Sequence, residues 1–211
     1  MSATSRLVLA TGNKGKIAEL AAPLRHLNIE VLGLADFPGL PPVEETGATF
    51  AENALLKARA TAAATGLPAV ADDSGLCVDA LDGAPGIYSA RYGSDLPLLP
   101  GESKDARNIR KLLAALKDVP EEKRGGSFMC VMAAACPDGW AVTAEGAWKG
   151  RLLSAPRGSN GFGYDPVFYI PELGRTVAEL SREEKMAMSH RSLALKGLMR
   201  LWPEFWQRAN G

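Results

Sequence analysis

The sequence predicts an α/β domain on a mixed sheet, and three observations carry the prediction. Short apolar runs alternate with segments of helical periodicity along the 211 residues. One tight turn, Pro137-Asp138-Gly139, joins two strand-like runs and reads as a hairpin. Hydrophobic residues make up 46% of the chain, which suits a globular core, and the length suits one large domain or two small lobes sharing a core.

The elements follow in order. Leu7 to Ala10 is a short apolar run that stops at Thr11-Gly12-Asn13, and Ile17, Leu20, Ala21 and Leu24 then recur at helical spacing. Ile29 to Leu34 reads as a second strand, and Pro38, Gly39, Pro41 and Pro42 mark an irregular loop. Thr49 and Glu52 form a capping box for a helix to about Ala64, which Gly66 ends. Pro68 to Ala71 starts a buried strand, Asp72-Asp73-Ser74-Gly75 breaks it, and Leu76 to Leu81 resumes it. Lys104 to Lys117 is an amphipathic helix. Ser127 to Cys136 and Trp140 to Trp148 are the two arms of the hairpin. Ser181 with Glu184 suggests another capping box. Ser189 caps a last helix carrying Leu193, Leu195, Leu198 and Leu201, which Pro203 interrupts.

Composition excludes several function classes. Lys and Arg total 24 and balance 24 Asp and Glu, so the basic excess of a phosphate-gripping nucleic-acid binder is missing. The three cysteines, Cys77, Cys130 and Cys136, have no CxxC spacing and fit a reducing cytosol rather than a disulfide framework or zinc site. The apolar run after Arg6 is too short for a signal segment, and no stretch is long enough to span a bilayer. A soluble cytoplasmic protein is expected.

Five segments could carry chemistry. Gly158-Ser159-Asn160-Gly161-Phe162-Gly163-Tyr164-Asp165 combines glycines, aromatics and an acid, which suits close approach to a planar, polar-edged ligand such as a nucleobase. Thr11-Gly12-Asn13-Lys14-Gly15-Lys16 sits between a strand and a helix. It reads either as an anion site or as a glycine turn with exposed lysines, and its spacing is not that of a Walker A loop. Asp72-Asp73-Ser74-Gly75 reads as a magnesium site or as an Asp/Ser turn. If it binds metal, strand alternation leaves one aspartate facing the site. Glu44-Glu45-Thr46-Gly47, with Asn53 and Lys57 four apart on one helix face, could complete a metal shell or form a solvated acidic loop. Lys185 with Ser189-His190-Arg191 offers donors to a purine edge, or is a surface cluster.

In their order along nearly the whole chain, these segments resemble the inosine/xanthosine triphosphate pyrophosphatase family, and most closely its bacterial branch. The blocks that carry the resemblance are Leu9 to Asn13 with Gly15-Lys16, Glu44 to Gly47 with Glu52-Asn53-Ala54, and Asp72 to Leu76. Gly83 to Tyr92, Pro156 to Pro166, and Glu184-Lys185 with Ser189-His190-Arg191 complete the set. The loop from Ser94 to Ser103 departs from the pattern in being longer and richer in proline.

The resemblance implies a single domain, residues 1–211, with an elongated central mixed sheet and two lobes flanking an active-site cleft, assembled as a homodimer. It implies hydrolysis of ITP, dITP and XTP to the monophosphate and pyrophosphate. Thr11, Gly12, Asn13, Lys14, Gly15 and Lys16 would contact the phosphates. Glu44 and Asp73 would hold Mg2+, Glu45 being the less favoured partner, and Asp73 would accept the proton of the attacking water. Ser74, Phe162, Gly163, Tyr164, Asp165, Lys185, His190 and Arg191 would contact substrate. Neither nucleic acid nor a membrane is an expected partner.

Overall fold

The computed structural model describes residues 5–12 and 29–210. Asn13 to Lys16 and the helix expected to carry Ile17, Leu20, Ala21 and Leu24 lie outside the described residues. Strands β1 (Ser5–Leu9), β2 (Ile29–Gly33), β3 (Ala69–Val78), β4 (Gly125–Ala135), β5 (Ala141–Leu152), β6 (Phe168–Ile170) and β7 (Arg175–Thr176) form one seven-stranded sheet in the order β2-β1-β3-β4-β5-β6-β7. The sheet is mixed, as expected: β1 runs parallel to β2 and β3, whereas β6 is antiparallel to β5 and β7. The longer helices are α1 (Phe50–Thr65), α2 (Lys104–Ala115), α3 (Arg182–Met188) and α4 (His190–Asn210). Among the described residues no helix is long and apolar enough to cross a membrane.

The chain forms two compact units. The first holds Met1–Asp73, Cys130–Gly146 and Leu193–Gly211. Its core follows from the two-residue period of the strands. Val8, Ala69, Ala71, Val131, Ala133 and Ala135 pack with Ala54, Ala58 and Ala62 of α1, while Leu7, Leu9, Val70, Cys130, Met132 and Ala134 pack with Ala194, Leu198, Trp202 and Phe205 of α4. Three alanines spaced by four give α1 a flat face, which lets the helix lie close on the strands. Thr49 and Glu52 cap that helix reciprocally as the sequence indicates, and Gly66, in the left-handed region, ends it.

The second unit holds Ser74–Met129 and Ala147–Ser192, and its core joins Leu76, Val78, Leu112, Leu116, Phe128, Phe168 and Leu180. Buried Asn108 on α2 accepts from the Gly93 amide at 2.7 Å and donates to the carbonyls of Ser89 and Ala90. That tie holds a 3-10 helix, Gly86–Arg91, against α2.

Two expectations are corrected. Asp72 to Gly75 do not break the strand: β3 continues through them as an interior strand of the sheet, and the Asp73 carboxylate finds the partners described below. Pro203 lies inside α4 without ending it. Stacking of Trp202 on Trp206, 5.2 Å between ring centroids, and of Trp140 on Phe205 outweighs one lost backbone hydrogen bond.

Candidate active site

In the first unit, alternation along β3 places Asp73 on the side of Ala69 and Ala71, which α1 covers. Two residues of α1 four apart, Asn53 and Lys57, meet it. Asn53 Nδ2 donates to one carboxylate oxygen at 3.3 Å and Lys57 Nζ to the other at 3.1 Å. Lys57 also donates to Glu45 Oε1 at 2.6 Å, so one ammonium lies between two carboxylates. Asn53 is fully buried and accepts from the Gly47 amide at 2.8 Å, drawing the acidic loop onto the helix. A Cβ on Gly47 would meet Glu52 Cβ at 2.6 Å and Asn53 Oδ1 at 2.7 Å, so this close approach requires glycine.

The electrostatics follow from this packing. Burial pushes the Asp73 carboxyl above the usual aspartate range; Lys57 pulls it down and the charge of Glu45 adds to the rise. Burial alone would lower the Lys57 ammonium, but the Glu45 hydrogen bond and the charge of Asp73 outweigh it and hold Lys57 above the usual lysine range. Thr11 and Gly12, just beyond β1, line the same cavity of about 700 Å3 as Glu45, Lys57 and Asp72, opposite an apolar wall that includes Leu34, Phe37 and Pro41.

The arrangement brings Glu45, rather than Glu44, to Asp73 through Lys57. Glu44 and Glu45 are both exposed; the Glu44 backbone carbonyl accepts the Thr46 amide, and the Glu45 side chain reaches Lys57. Among the described residues no group of three or more His, Cys, Asp or Glu is placed to hold a metal. Asp73 and Glu45, both bonded to Lys57, are two carboxylates of the kind a hard cation takes when its other positions are left to water and phosphate. They do not fit a protein-only cage. Lys57 and Asn53 are the residues that sequence reasoning underweighted; their spacing of four, beside a capping box, was the available signal.

In the second unit the glycine-rich segment folds around Asp165, which is 2% exposed. Its Oδ2 accepts from the Phe162 amide at 3.0 Å and from Lys185 Nζ at 2.5 Å. Burial pushes the carboxyl above the usual aspartate range, against the pull of Lys185, the Phe162 amide and Arg191. Gly161 has φ of +79°, and a Cβ there would overlap Asp165 Oδ2, so both conformation and space demand glycine. Lys185 Nζ stands 4.6 Å from the centre of the Phe162 ring, which is 51% exposed.

Tyr164 differs from the expectation of an aromatic flanking the ligand. It is 4% exposed and its hydroxyl donates to the Ser89 carbonyl at 2.9 Å. Burial, with Tyr92 and Asp105 adding, pushes that phenol well up from its ordinary value, so it serves as a neutral core anchor. His190 is buried against Phe128, with the rings stacked 5.0 Å apart. Arg191, 3% exposed, donates to Ser74 Oγ at 3.2 Å. Ser189 Oγ accepts the Ser192 amide at 3.2 Å, the expected cap that starts α4 beneath these side chains.

The chain is similar to known proteins along nearly its whole length. The model of the Ham1 family fits residues 7–201. The dITP/XTP pyrophosphatase of Nitratidesulfovibrio vulgaris is 60% identical over 201 residues, covering 95% of this chain and 97% of the relative. The dITP/XTP pyrophosphatase of Yersinia pseudotuberculosis is 53% identical over 193 residues, covering 90% and 94%. The structure of a HAM1 protein from Coxiella burnetii superposes with a TM-score of 0.86 at 44% identity, covering 95% of this chain and 99% of the other.

Proposed function

The chain belongs to the Ham1 family, and we propose that it hydrolyses the nonstandard purine nucleoside triphosphates ITP, dITP and XTP to the monophosphate and pyrophosphate. Relatives at 60% and 53% identity named dITP/XTP pyrophosphatase support the substrate class. The observation that carries the chemistry is Lys57 between Glu45 and Asp73, on a cavity that Thr11 and Gly12 also line.

Asp73, as carboxylate, orients a water and takes its proton as the oxygen attacks the α-phosphorus. Its position, fixed by Asn53, sets the direction of attack, and a carboxyl raised above the ordinary range is a better base near neutral pH. Lys57 and the amides of the Thr11 loop, continued by Asn13 to Lys16, offset triphosphate charge. A Mg2+ held by Asp73 and Glu45 would supply further charge neutralisation at the phosphates. Positioning and electrostatics account for the rate without a covalent intermediate.

The glycine-rich segment with Lys185 and Arg191 is the proposed reader of the base. Phe162 offers an exposed ring face, and Lys185 and Arg191 are donors suited to a 6-keto oxygen; the 6-amino group of adenine would leave them unpaired. Asp165 acts through Lys185, which it orients. A cytoplasmic homodimer, as the family resemblance implies, completes the proposal.

A nucleotide panel with Mg2+, scoring pyrophosphate against phosphate release, tests this reading. Pyrophosphate is expected, with kcat/KM for ITP, dITP and XTP at least about 100-fold above ATP, whose 6-amino group mispairs, and above GTP, whose 2-amino group a tight pocket wall would refuse. Stepwise phosphate release, or comparable kcat/KM for all five, would overturn it.

A further inference from the structure

The Phe162 ring is half exposed, with Lys185 Nζ over one face. Gly158, Gly161 and Gly163 flank it with φ of +81°, +79° and +61°, so the backbone is permissive. Behind the segment lies a cavity of about 550 Å3, lined on the α2 side by Ser103, Asp105, Ala106, Ile109, Arg110 and Leu113. Across that space Asp105, in the first turn of α2, reaches with Oδ2 to accept the Gly163 amide at 2.7 Å. The Phe162 amide is tied to Asp165 from the other side. The peptide that carries the ring is thus clamped by two carboxylates, one from within the loop and one from the helix.

We propose that Asp105 is a positioning residue for purine recognition: its bond to the Gly163 amide fixes the Phe162 ring against which the base stacks. The inference rests on the reading of this loop as the base site. Asp105 touches neither the reacting phosphorus nor the water. Losing the bond therefore frees the ring to swing toward the cavity, weakening base binding and base choice while leaving Asp73 unaffected. The bond needs an acceptor at Oδ rather than a charge, so an asparagine oxygen substitutes for it.

The test compares wild type, Asp105→Ala and Asp105→Asn in two assays. Amide exchange of Gly163, followed by NMR without nucleotide, reports the clamp itself. Steady-state kinetics with ITP and GTP report its use. Asp105→Ala is expected to accelerate Gly163 exchange, raise KM for ITP about tenfold, narrow the ITP preference and leave kcat little changed. Asp105→Asn is expected to restore exchange protection and KM. Unchanged Gly163 exchange in Asp105→Ala, equal losses in both variants, or a fall in kcat with KM constant would each overturn the proposal. If wild type fails to hydrolyse ITP, the base-site reading fails, while the exchange arm still decides whether Asp105 holds the loop.

Discussion

A carboxylate at Asp73 is costly to bury, and the chain spends Lys57 and Asn53 on keeping it in place. Such expense at one residue suits a proton acceptor. Asp73→Asn keeps the size and the Asn53 neighbour, so the fold should survive while kcat falls by about 100-fold or more; activity near wild type in a variant with native circular dichroism would remove Asp73 from that role. At Cys77 the logic is passive. Burial, with the charge of Asp79 adding, raises the thiol above its usual range, so the thiolate that alkylating agents need is scarce. Iodoacetamide at pH 8 should label Cys77 more slowly than free cysteine, with the rate climbing only above the ordinary thiol range. Cys130 and Cys136 are buried and should react only on unfolding; mass spectrometry of labelled peptides distinguishes the three. The acid pair at 72–73 was legible in the sequence because two adjacent carboxylates in an apolar strand demand an explanation. Which of Glu44 and Glu45 reaches Lys57 was not, since a loop lacks the periodicity that fixes side-chain direction.

At the scale of elements, α1 shows how a helix can escape a hydrophobicity pattern. Its buried face is Ala54, Ala58 and Ala62, too small to stand out by periodicity, yet it sets the closeness that lets Lys57 and Asn53 reach β3. Ala58→Leu should overpack that contact, lowering stability by about 1–3 kcal/mol in urea unfolding and reducing activity as the helix is pushed off Asp73. A stable, fully active Ala58→Leu protein would mean the helix has room to spare. Capping signals marked where α1, α3 and α4 begin, because a cap is local chemistry that needs no partner. The continuity of β3 and of α4 past Pro203 escaped the sequence because each depends on neighbours: flanking strands in one case, stacked aromatics in the other. The two short strands β6 and β7 were missed for the same reason, since three and two residues carry no period of their own.

At the scale of the whole molecule, the ordered set of motifs identified the family before any single motif could, because each block alone has an ordinary structural explanation. The balance of 24 basic and 24 acidic residues, against a family that handles highly charged triphosphates, shows charge deployed locally rather than globally. Lys57 is the clearest instance. Without a cation, the ammonium between Glu45 and Asp73 already acts as an internal counter-ion, so the protein does not depend on metal to tolerate its own acids. On the proposed reading, folding is thereby uncoupled from cofactor supply. Wild type should melt cooperatively in chelator, whereas Lys57→Met should lose about 2 kcal/mol there and recover part of it when millimolar Mg2+ is added. Equal melting of the two proteins in chelator would refute that uncoupling. On the proposed magnesium requirement, a cell short of that ion would hold this protein idle but intact, ready to resume work without resynthesis.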